Sequence, residues 1–250
     1  MTDPDDSSSP FRERAPLSIE DGLKLVETAE LELLGRMPWS SNATFLCDLQ
    51  VGSEIPAQAI YKPAEGERPL RDFPTGLHRR EVASFRLSQQ LGWDLVPPTV
   101  ERDDHFGPGS VQLYIPANYD EHYFTMLETG DHNEQFKLLC AFDVVANSTD
   151  RKGGHCLLGQ DGRIWAIDNG LSFHEVPKLR TVIWEWSEEP IPIEIREQLA
   201  AFCEQGLAED LAELLSEAEQ EATIGRARAL VNRGTYPVDL TGRAYPWPLV

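Results

Sequence analysis

The chain has 250 residues and carries 22 basic against 42 acidic side chains, which gives a formal net charge of -20. With 41% hydrophobic residues it can bury a sizeable core without disulfides or structural metals. The charge repels nucleic-acid phosphate and anionic bilayers, so we expect no nucleic-acid partner. Residues 1–10 are acidic and polar, and no run of 18 apolar residues occurs, which favours a cytoplasmic protein without integral membrane contact.

The first half of the chain has the pattern of an antiparallel sheet with helices. Residues 1–16 hold too few apolar side chains to offset the entropy of ordering and are predicted to be a disordered acidic tail. A single domain then spans 17–250, with an N-lobe at 17–117 and a C-lobe at 118–250. Its first elements are predicted to be a helix capped by Ser18, strands at 31–37, 43–51 and 57–61, an amphipathic helix at 77–91, and strands at 98–101 and 111–115 around a polar turn at 103–109.

The second half is predicted to be mainly helical. Asp131 and Glu134 have the spacing of a capping box before a segment that is apolar nearly all round, which predicts a buried helix. It stops at the polar loop 147–154, and a hairpin at 155–167 and two or three helices at 193–233 follow. Residues 185–222 hold twelve acids and one base, which is typical of a solvated face and would also suit a basic protein partner.

Two carboxylates stand at positions that suit phosphoryl transfer. Asp150 lies in the loop after the buried helix, and Asp168 follows the predicted hairpin. In such sites one aspartate orients the acceptor hydroxyl and the other holds the metal that bridges ATP phosphates. Upstream, Lys62 closes a strand and Glu81 lies on the next helix, a pair that can fix the phosphates. Because three arginines surround Glu81, a surface ion pair is the alternative.

These motifs resemble those of the phosphatidylinositol 3-/4-kinase branch of the protein-kinase-like fold. The similarity is greatest to the type II phosphatidylinositol 4-kinases and fainter to HipA-type kinases. It covers about residues 36–190 and rests mainly on AIDNGLSF at 166–173, which is nearly the family's metal-binding motif, and on NSTDR at 147–151, which resembles its catalytic loop. The resemblance implies a two-lobed α+β fold, with an antiparallel sheet plus one helix in the N-lobe and a mainly helical C-lobe.

The resemblance also implies a role for each candidate residue. Arg151 would either steady the catalytic loop or touch phosphate, and the turn of Ser40, Ser41 and Asn42 is either a plain hairpin turn or a phosphate cradle. Gln112, Leu113, Tyr114 and Ile115 would form the hinge between the lobes, where backbone groups could meet adenine, with an ordinary strand as the alternative. The implied catalytic residues are Lys62, Glu81, Asp150 and Arg151, and the implied metal ligands are Asp168 and His155.

His155 is the position that departs from the family pattern. The family has an asparagine five residues after its catalytic aspartate as a second metal ligand, and this chain has His155 there. Either His155 takes over metal binding or the second metal position is altered. Imidazole suits manganese better than magnesium, so we expect ATP with a divalent metal, Mg or Mn, and Mn to be favoured if His155 is a ligand.

The acceptor and the chemistry leave alternatives open. The sequence has no basic cluster, cysteine-rich palmitoylation segment or apolar anchor, so an unknown soluble hydroxyl acceptor, protein or metabolite, is expected rather than a phosphoinositide. The alternatives are a true phosphoinositide kinase, a catalytically weak nucleotide-binding scaffold, and a nucleotidyl transferase that uses the same site.

Overall fold

The computed structural model describes residues 10–38, 40 and 42–250. Residues 1–9 of the predicted tail and Ser41 of the predicted phosphate turn lie outside the described residues.

The N-terminal part is a five-stranded antiparallel sheet in the order β1-β2-β3-β5-β4. Residues alternate between its faces, so β3 buries Ala59 and Tyr61 on one face while Lys62 emerges on the other. The predicted five strands are confirmed, and each is shifted by a few residues. Their bounds are β1 Glu30–Arg36, β2 Phe45–Val51, β3 Glu54–Pro63, β4 Thr99–Asp104 and β5 Gly107–Leu113.

Two helices accompany the sheet, α1 at Ile19–Thr28 and α2 at Leu77–Gln90. Ser18 caps α1 as predicted, because its hydroxyl accepts a hydrogen bond from the amide of Asp21 at 3.0 Å. Helix α2 packs against β4 and β5 and also against the helices at 133–146 and 209–212, so it belongs to both halves of the molecule. The helix that carries Glu81 is therefore fixed by contacts on two sides.

The remainder is mainly helical, as predicted. Helix α4 is buried nearly all round, and the side chains of Phe136, Leu139, Phe142 and Val145 are inaccessible to solvent. Residues 193–233 form three helices, and the sequence pattern did not indicate a further helix at 123–129. The bounds are α3 Tyr123–Thr129, α4 Asn133–Ala146, β6 Cys156–Leu158, β7 Ile164–Ala166, α5 Ile193–Gln205, α6 Glu209–Ala212 and α7 Glu217–Arg233.

The capping box predicted at Asp131 and Glu134 is wrong. Helix α4 begins at Asn133, and its flanking residue His132 makes no side-chain capping bond. Gly130, in the left-handed conformation at φ 72°, closes α3 only three residues earlier, and the amide of Asp131 donates to the hydroxyl of Thr129. Asp131 therefore belongs to the end of α3 and cannot cap the next helix.

Residues 10–14 of the predicted tail contact the sheet, and the predicted turn at 103–109 is shorter in the structure. The guanidinium of Arg12 donates to both carboxylate oxygens of the buried Asp48, at 3.1 and 2.8 Å, and the backbone amide of Arg12 donates to Gln58. Residues 10–14 thus lie against the sheet because a buried carboxylate needs a partner. The turn is tighter than predicted, since the β4–β5 ladder extends to Asp104 and Gly107.

The arginines of α2 face the acidic helices. Arg80 forms a buried ion pair with Glu219, and Arg86 lies 3.3 Å from a carboxylate oxygen of Asp210. Arg79 donates to the backbone carbonyl of Glu213. Part of the negative charge at 185–222 is therefore paired with arginines of α2. Because these arginines have other partners, they do not form an ion pair with Glu81. No helix in the described part of the chain is both long and apolar enough to cross a membrane.

Gly109 permits the close approach of β5 to β3 beside Lys62. A Cβ at this position would lie 2.6 Å from the carbonyl oxygen of Lys62 and 2.7 Å from the Cα of Pro63. Both atoms belong to the backbone, so Gly109→Ala should lower the free energy of unfolding by about 2 kcal/mol, measured by urea denaturation. Gly35→Ala is the matched control, because no atom lies within 4 Å of its Cβ. An equal effect of both substitutions would contradict this explanation.

Candidate active site

A cleft of about 670 Å³ lies between the sheet and the helical part of the chain. It brings together most of the residues that the sequence motifs singled out, although they come from the β1–β2 turn, β3, α2, the loop after α4 and the loop after β7. The predicted site residues that line it are Ser40, Asn42, Lys62, Glu81, Asp150, His155 and Asp168.

Lys62 lies between two carboxylates. Its ammonium group donates to Glu81 and, at 2.8 Å, to Asp168. Burial disfavours the charged amine, but the carboxylates of Asp168 and Glu81 outweigh this and hold the pKa of Lys62 above its ordinary value. The lysine is therefore a permanent cation that points into the cleft.

Glu81 is the most deeply buried of these groups. One of its carboxylate oxygens accepts from Lys62, and the other accepts from the backbone amide of Asn169 at 2.9 Å. The surface ion pair considered for Glu81 is thus not formed. Gly170 lies close by, since a Cβ there would be 3.4 Å from the Glu81 carboxylate. The glutamate joins β3, α2 and the loop that carries Asp168.

Asp168 adopts a backbone conformation that is uncommon for residues with a side chain, with φ 56°. This conformation directs its half-exposed carboxylate into the cleft, where Lys62 holds the pKa of Asp168 well below its ordinary range. The carboxylate remains ionised at neutral pH, which is the form that binds a cation.

His155 faces the same aspartate. Its Nε2 atom lies 3.5 Å from a carboxylate oxygen of Asp168. Burial lowers the pKa of His155, so the ring is neutral at pH 7 and can act as a ligand. The two groups could contribute two donors to one ion. The described residues contain no cluster of three or more such donors, so phosphate oxygens and water would have to complete the coordination, as is usual for Mg²⁺ bound with a nucleotide.

Asp150 also lines the cleft, beside Lys152. The ammonium group of Lys152 donates to its carboxylate at 2.5 Å. The sequence placed Lys152 within the ATP-binding elements but gave it no role of its own. Its place two residues after Asp150, in a chain with five lysines, is the signal that could have identified it.

Arg151 does not reach the cleft. Its guanidinium is buried and donates to the carboxylate of Asp143, to the carbonyl of Ile167 at 2.7 Å and to the amide oxygen of Asn169 at 2.5 Å. Of the two roles considered for Arg151, the geometry matches steadying the loop, because these bonds tie the Asp150 loop to the Asp168 loop. Contact with phosphate would require breaking them. Asp143 was not among the predicted residues, since nothing in its apolar helix distinguished it.

The described residues of the β1–β2 turn are already hydrogen-bonded within the chain. The hydroxyl groups of Ser40 and Thr44 are 2.7 Å apart, and the side-chain oxygen of Asn42 accepts at 3.0 Å from the amide of Arg68, which lies 26 residues further along the chain. Ser40 and Asn42 face the cleft beside Lys62. Their position therefore suits a phosphate contact, while their present bonds hold the turn in place.

The predicted hinge at 112–115 divides into a strand end and a connection. Gln112 and Leu113 belong to β5, and the buried amide of Gln112 donates to the hydroxyl of Thr99 at 2.9 Å. Tyr114 and Ile115 connect the sheet to the helical part, but the amide of Tyr114 donates to the carbonyl of Gln58, and its own carbonyl accepts from Arg14 at 2.8 Å. Two backbone groups of the connection are thus already bonded within the chain.

A relative in Mycobacterium tuberculosis defines the family. Protein Rv2133c is 36% identical to this chain over 266 residues, which span 92% of the chain and 95% of the relative. The chain belongs to the family of Rv2133c. A scan against known protein-family models finds no match.

Solved structures define the fold that this Rv2133c family member adopts. The structure of hydra Fam20 with sugar is 12% identical, covers 86% of this chain and 87% of its own, and superposes with a TM-score of 0.55. The Helicobacter pylori proinflammatory kinase CtkA is 9% identical, with a TM-score of 0.49 and coverage of 83% and 93%. The chain has the predicted two-lobed, protein-kinase-like α+β fold.

Glu67 lines the same cleft and holds the start of α2. Its carboxylate accepts from the amides of Gly76 and His78, at 2.9 and 2.8 Å, and pairs with the His78 ring. Burial alone would raise its pKa, but these hydrogen bonds outweigh burial and lower the pKa of Glu67 to about 2. The first turn of the helix that carries Glu81 is thus fixed by an ionised carboxylate.

Glu67→Gln should destabilise the protein in a pH-dependent way. Because folding depresses the pKa of Glu67, its stabilisation is fully present above the unfolded pKa, about 4.3, and is lost as the pH falls toward about 2. We expect the variant to lose about 2 kcal/mol at pH 7 and the gap to wild type to shrink between pH 5 and 3, measured by urea denaturation. Glu65→Gln, at an exposed neighbour, is the control. A loss that is constant with pH would refute this role.

Proposed function

We propose that the protein is an ATP-dependent phosphotransferase of the phosphatidylinositol 3-/4-kinase-like superfamily. It would transfer the γ-phosphoryl group to a hydroxyl of a protein or metabolite. The observation that carries the proposal is Lys62, which bonds Glu81 and Asp168 at once in a cleft that Asp150 also lines. The kinase-like fold and the motifs at 147–151 and 166–173 support it.

Four sets of residues would act on the nucleotide. Lys62 would exchange its bond to Asp168 for a phosphate oxygen and stay positioned by Glu81. Asp168 and His155 would hold the divalent metal, which when bound neutralises charge that develops on the phosphates. Ser40 and Asn42 would contact phosphate from the β1–β2 turn. Tyr114 and Ile115 would border adenine.

Asp150 and Lys152 would act on the acceptor side. Asp150 would orient the hydroxyl and accept its proton as the oxygen attacks phosphorus. Lys152, bonded to Asp150, would hold that carboxylate in place and could follow the transferred phosphoryl group. Arg151 would position the loops of both aspartates through its buried hydrogen bonds and would not touch the substrate.

The two lobes and the acidic surface bear on where the protein acts and what it binds. Residues 17–117 and 118–250 would act as two lobes of one catalytic unit in the cytoplasm. The charge of -20 disfavours anionic membrane lipids as acceptors. The acidic residues at 185–222 that α2 does not pair would be available to a basic protein partner.

Asp150→Asn and Asp168→Asn should each lower ATP turnover by at least about 100-fold. The first removes the group that accepts the proton, and the second removes a metal ligand. ATP consumption and mass spectrometry of the product measure the effect and separate a phosphate adduct from an AMP adduct. Asp120→Asn, at an exposed turn, is the control.

Two results would contradict the proposal in different ways. Wild-type turnover in both aspartate variants would show that the cleft is not the catalytic site. ATP-dependent thermal stabilisation of the wild type without any turnover would instead support the nucleotide-binding scaffold that the His155 departure suggests.

The metal preference follows from His155. If its imidazole is a ligand, turnover with Mn²⁺ should exceed turnover with Mg²⁺, and His155→Asn should reduce the Mn/Mg rate ratio about tenfold. A titration of both metals at fixed ATP measures this ratio. Equal rates with the two metals in the wild type would exclude a role of His155 in metal selection.

A further inference from the structure

Residues 244–250 cross the helical lobe and reach the catalytic cleft. The carbonyl of Ala244 accepts from the amide of Thr181 at 3.0 Å, and the carbonyl of Leu249 accepts from the amide of Gly153 at 2.7 Å. Thr181 lies beyond the Asp168 loop, and Gly153 lies three residues after Asp150. Residues 244–250 thus run from a contact with Thr181 to a contact with Gly153 in the loop that carries Asp150.

Side chains of this segment alternate between the lobe and the cleft. Leu249 packs against the core of the helical lobe, while its neighbours Pro248 and Val250 line the cleft together with Asp150 and Lys152. Such alternation is typical of extended chain. Trp247, by contrast, is 87% exposed. Pro248 and Val250 are therefore the positions of the segment that face the cleft.

Gly153 and Gly154 leave room for this backbone. A Cβ on Gly153 would lie 3.2 Å from the ring of Phe124 and 3.3 Å from the carbonyl oxygen of Leu249, and one on Gly154 would lie 3.8 Å from Val250. A side chain at position 153 would push the segment away. The pair of glycines beside Asp150 thus allows a peptide backbone to bond directly to the loop.

From these contacts we infer that the acceptor side of the cleft binds an extended polypeptide. In this structure, residues 246–250 of the chain itself occupy that part of the cleft. The inference rests on the proposed function and specifies its acceptor. A backbone bond to Gly153 and an apolar contact like that of Leu249 would hold the acceptor chain, and alternate side chains would point toward Asp150. Neither Pro248 nor Val250 has a hydroxyl, so the segment fills the site without accepting phosphate.

Placing a hydroxyl on the segment tests the inference. In Val250→Ser, and separately in Pro248→Ser, the new hydroxyl oxygen would bond to the γ-phosphorus of ATP, the bond from that phosphorus to the β–γ bridging oxygen would break, ADP would leave, and the proton would pass to Asp150. We expect one phosphate at the substituted position of at least one variant, formed at a rate independent of protein concentration. Trp247→Ser, which faces solvent, should remain unmodified, and Asp150→Asn should abolish the reaction.

A second variant measures occupancy of the site. Leu249→Asp removes the apolar contact and should release the segment from the cleft. Because a tethered competitor is then lost, the KM for dephosphorylated casein should fall about tenfold. The kcat and the KM for ATP should not change. Absence of phosphate at 248 and 250, together with an unchanged casein KM in a protein that still turns over ATP, would overturn the inference. Phosphorylation of small polyols but not casein would also overturn it. Failure of the proposed function differs, since the wild type would then not turn over ATP with any acceptor, whether or not ATP stabilises the protein.

Discussion

The buried carboxylate of Glu81 is the constraint on which the cleft depends. A carboxylate removed from water is costly unless charge and hydrogen bonds compensate it, and here Lys62 supplies the charge and the amide of Asn169 a hydrogen bond. These partners come from β3 and from the loop after β7, so satisfying one side chain on α2 places Lys62 and Asp168 next to each other. The arrangement that we propose for phosphate and metal contact thus follows from the need to compensate one buried carboxylate.

Helix α2 transmits that constraint to the second lobe. While Glu81 faces the cleft, its neighbour Arg80 is buried against Glu219 of α7 and donates to the carbonyl of Ser172 at 3.1 Å. Rotation of α2 would break pairs on both sides, and each would leave a buried charge without a partner. The sequence suggested that the acidic residues at 185–222 form a solvated face. Some of them instead pair with the arginines of α2. The fixed orientation of Glu81 depends on these pairs.

Local pattern predicted the strands, α2 and the two motif aspartates, because alternation, amphipathicity and spacing are properties of short segments. It could not predict contacts that join distant segments. Arg151 is buried because Asp143, eight residues earlier, and Asn169 accept its hydrogen bonds, and no local signal distinguishes that from an exposed arginine. The same holds for Arg12, which is held by Asp48, and for Val250 in the cleft. The error at Asp131 arose because α3 was not foreseen.

Charge within the cleft explains why a cation would matter to nucleotide affinity. Among the described residues, the lining carries the carboxylates of Glu67, Glu81, Asp150 and Asp168 against the cations of Lys62, Arg68 and Lys152. A polyphosphate entering this cleft meets a net negative surface on a protein of charge -20, and Coulomb repulsion at such distances is substantial. On the proposed function, a divalent ion held by Asp168 would reverse that balance, and Lys62 would be free to turn from the aspartate toward phosphate. The acidic body would then make nucleotide binding depend on the metal, while Lys62 and Lys152 would position the phosphates.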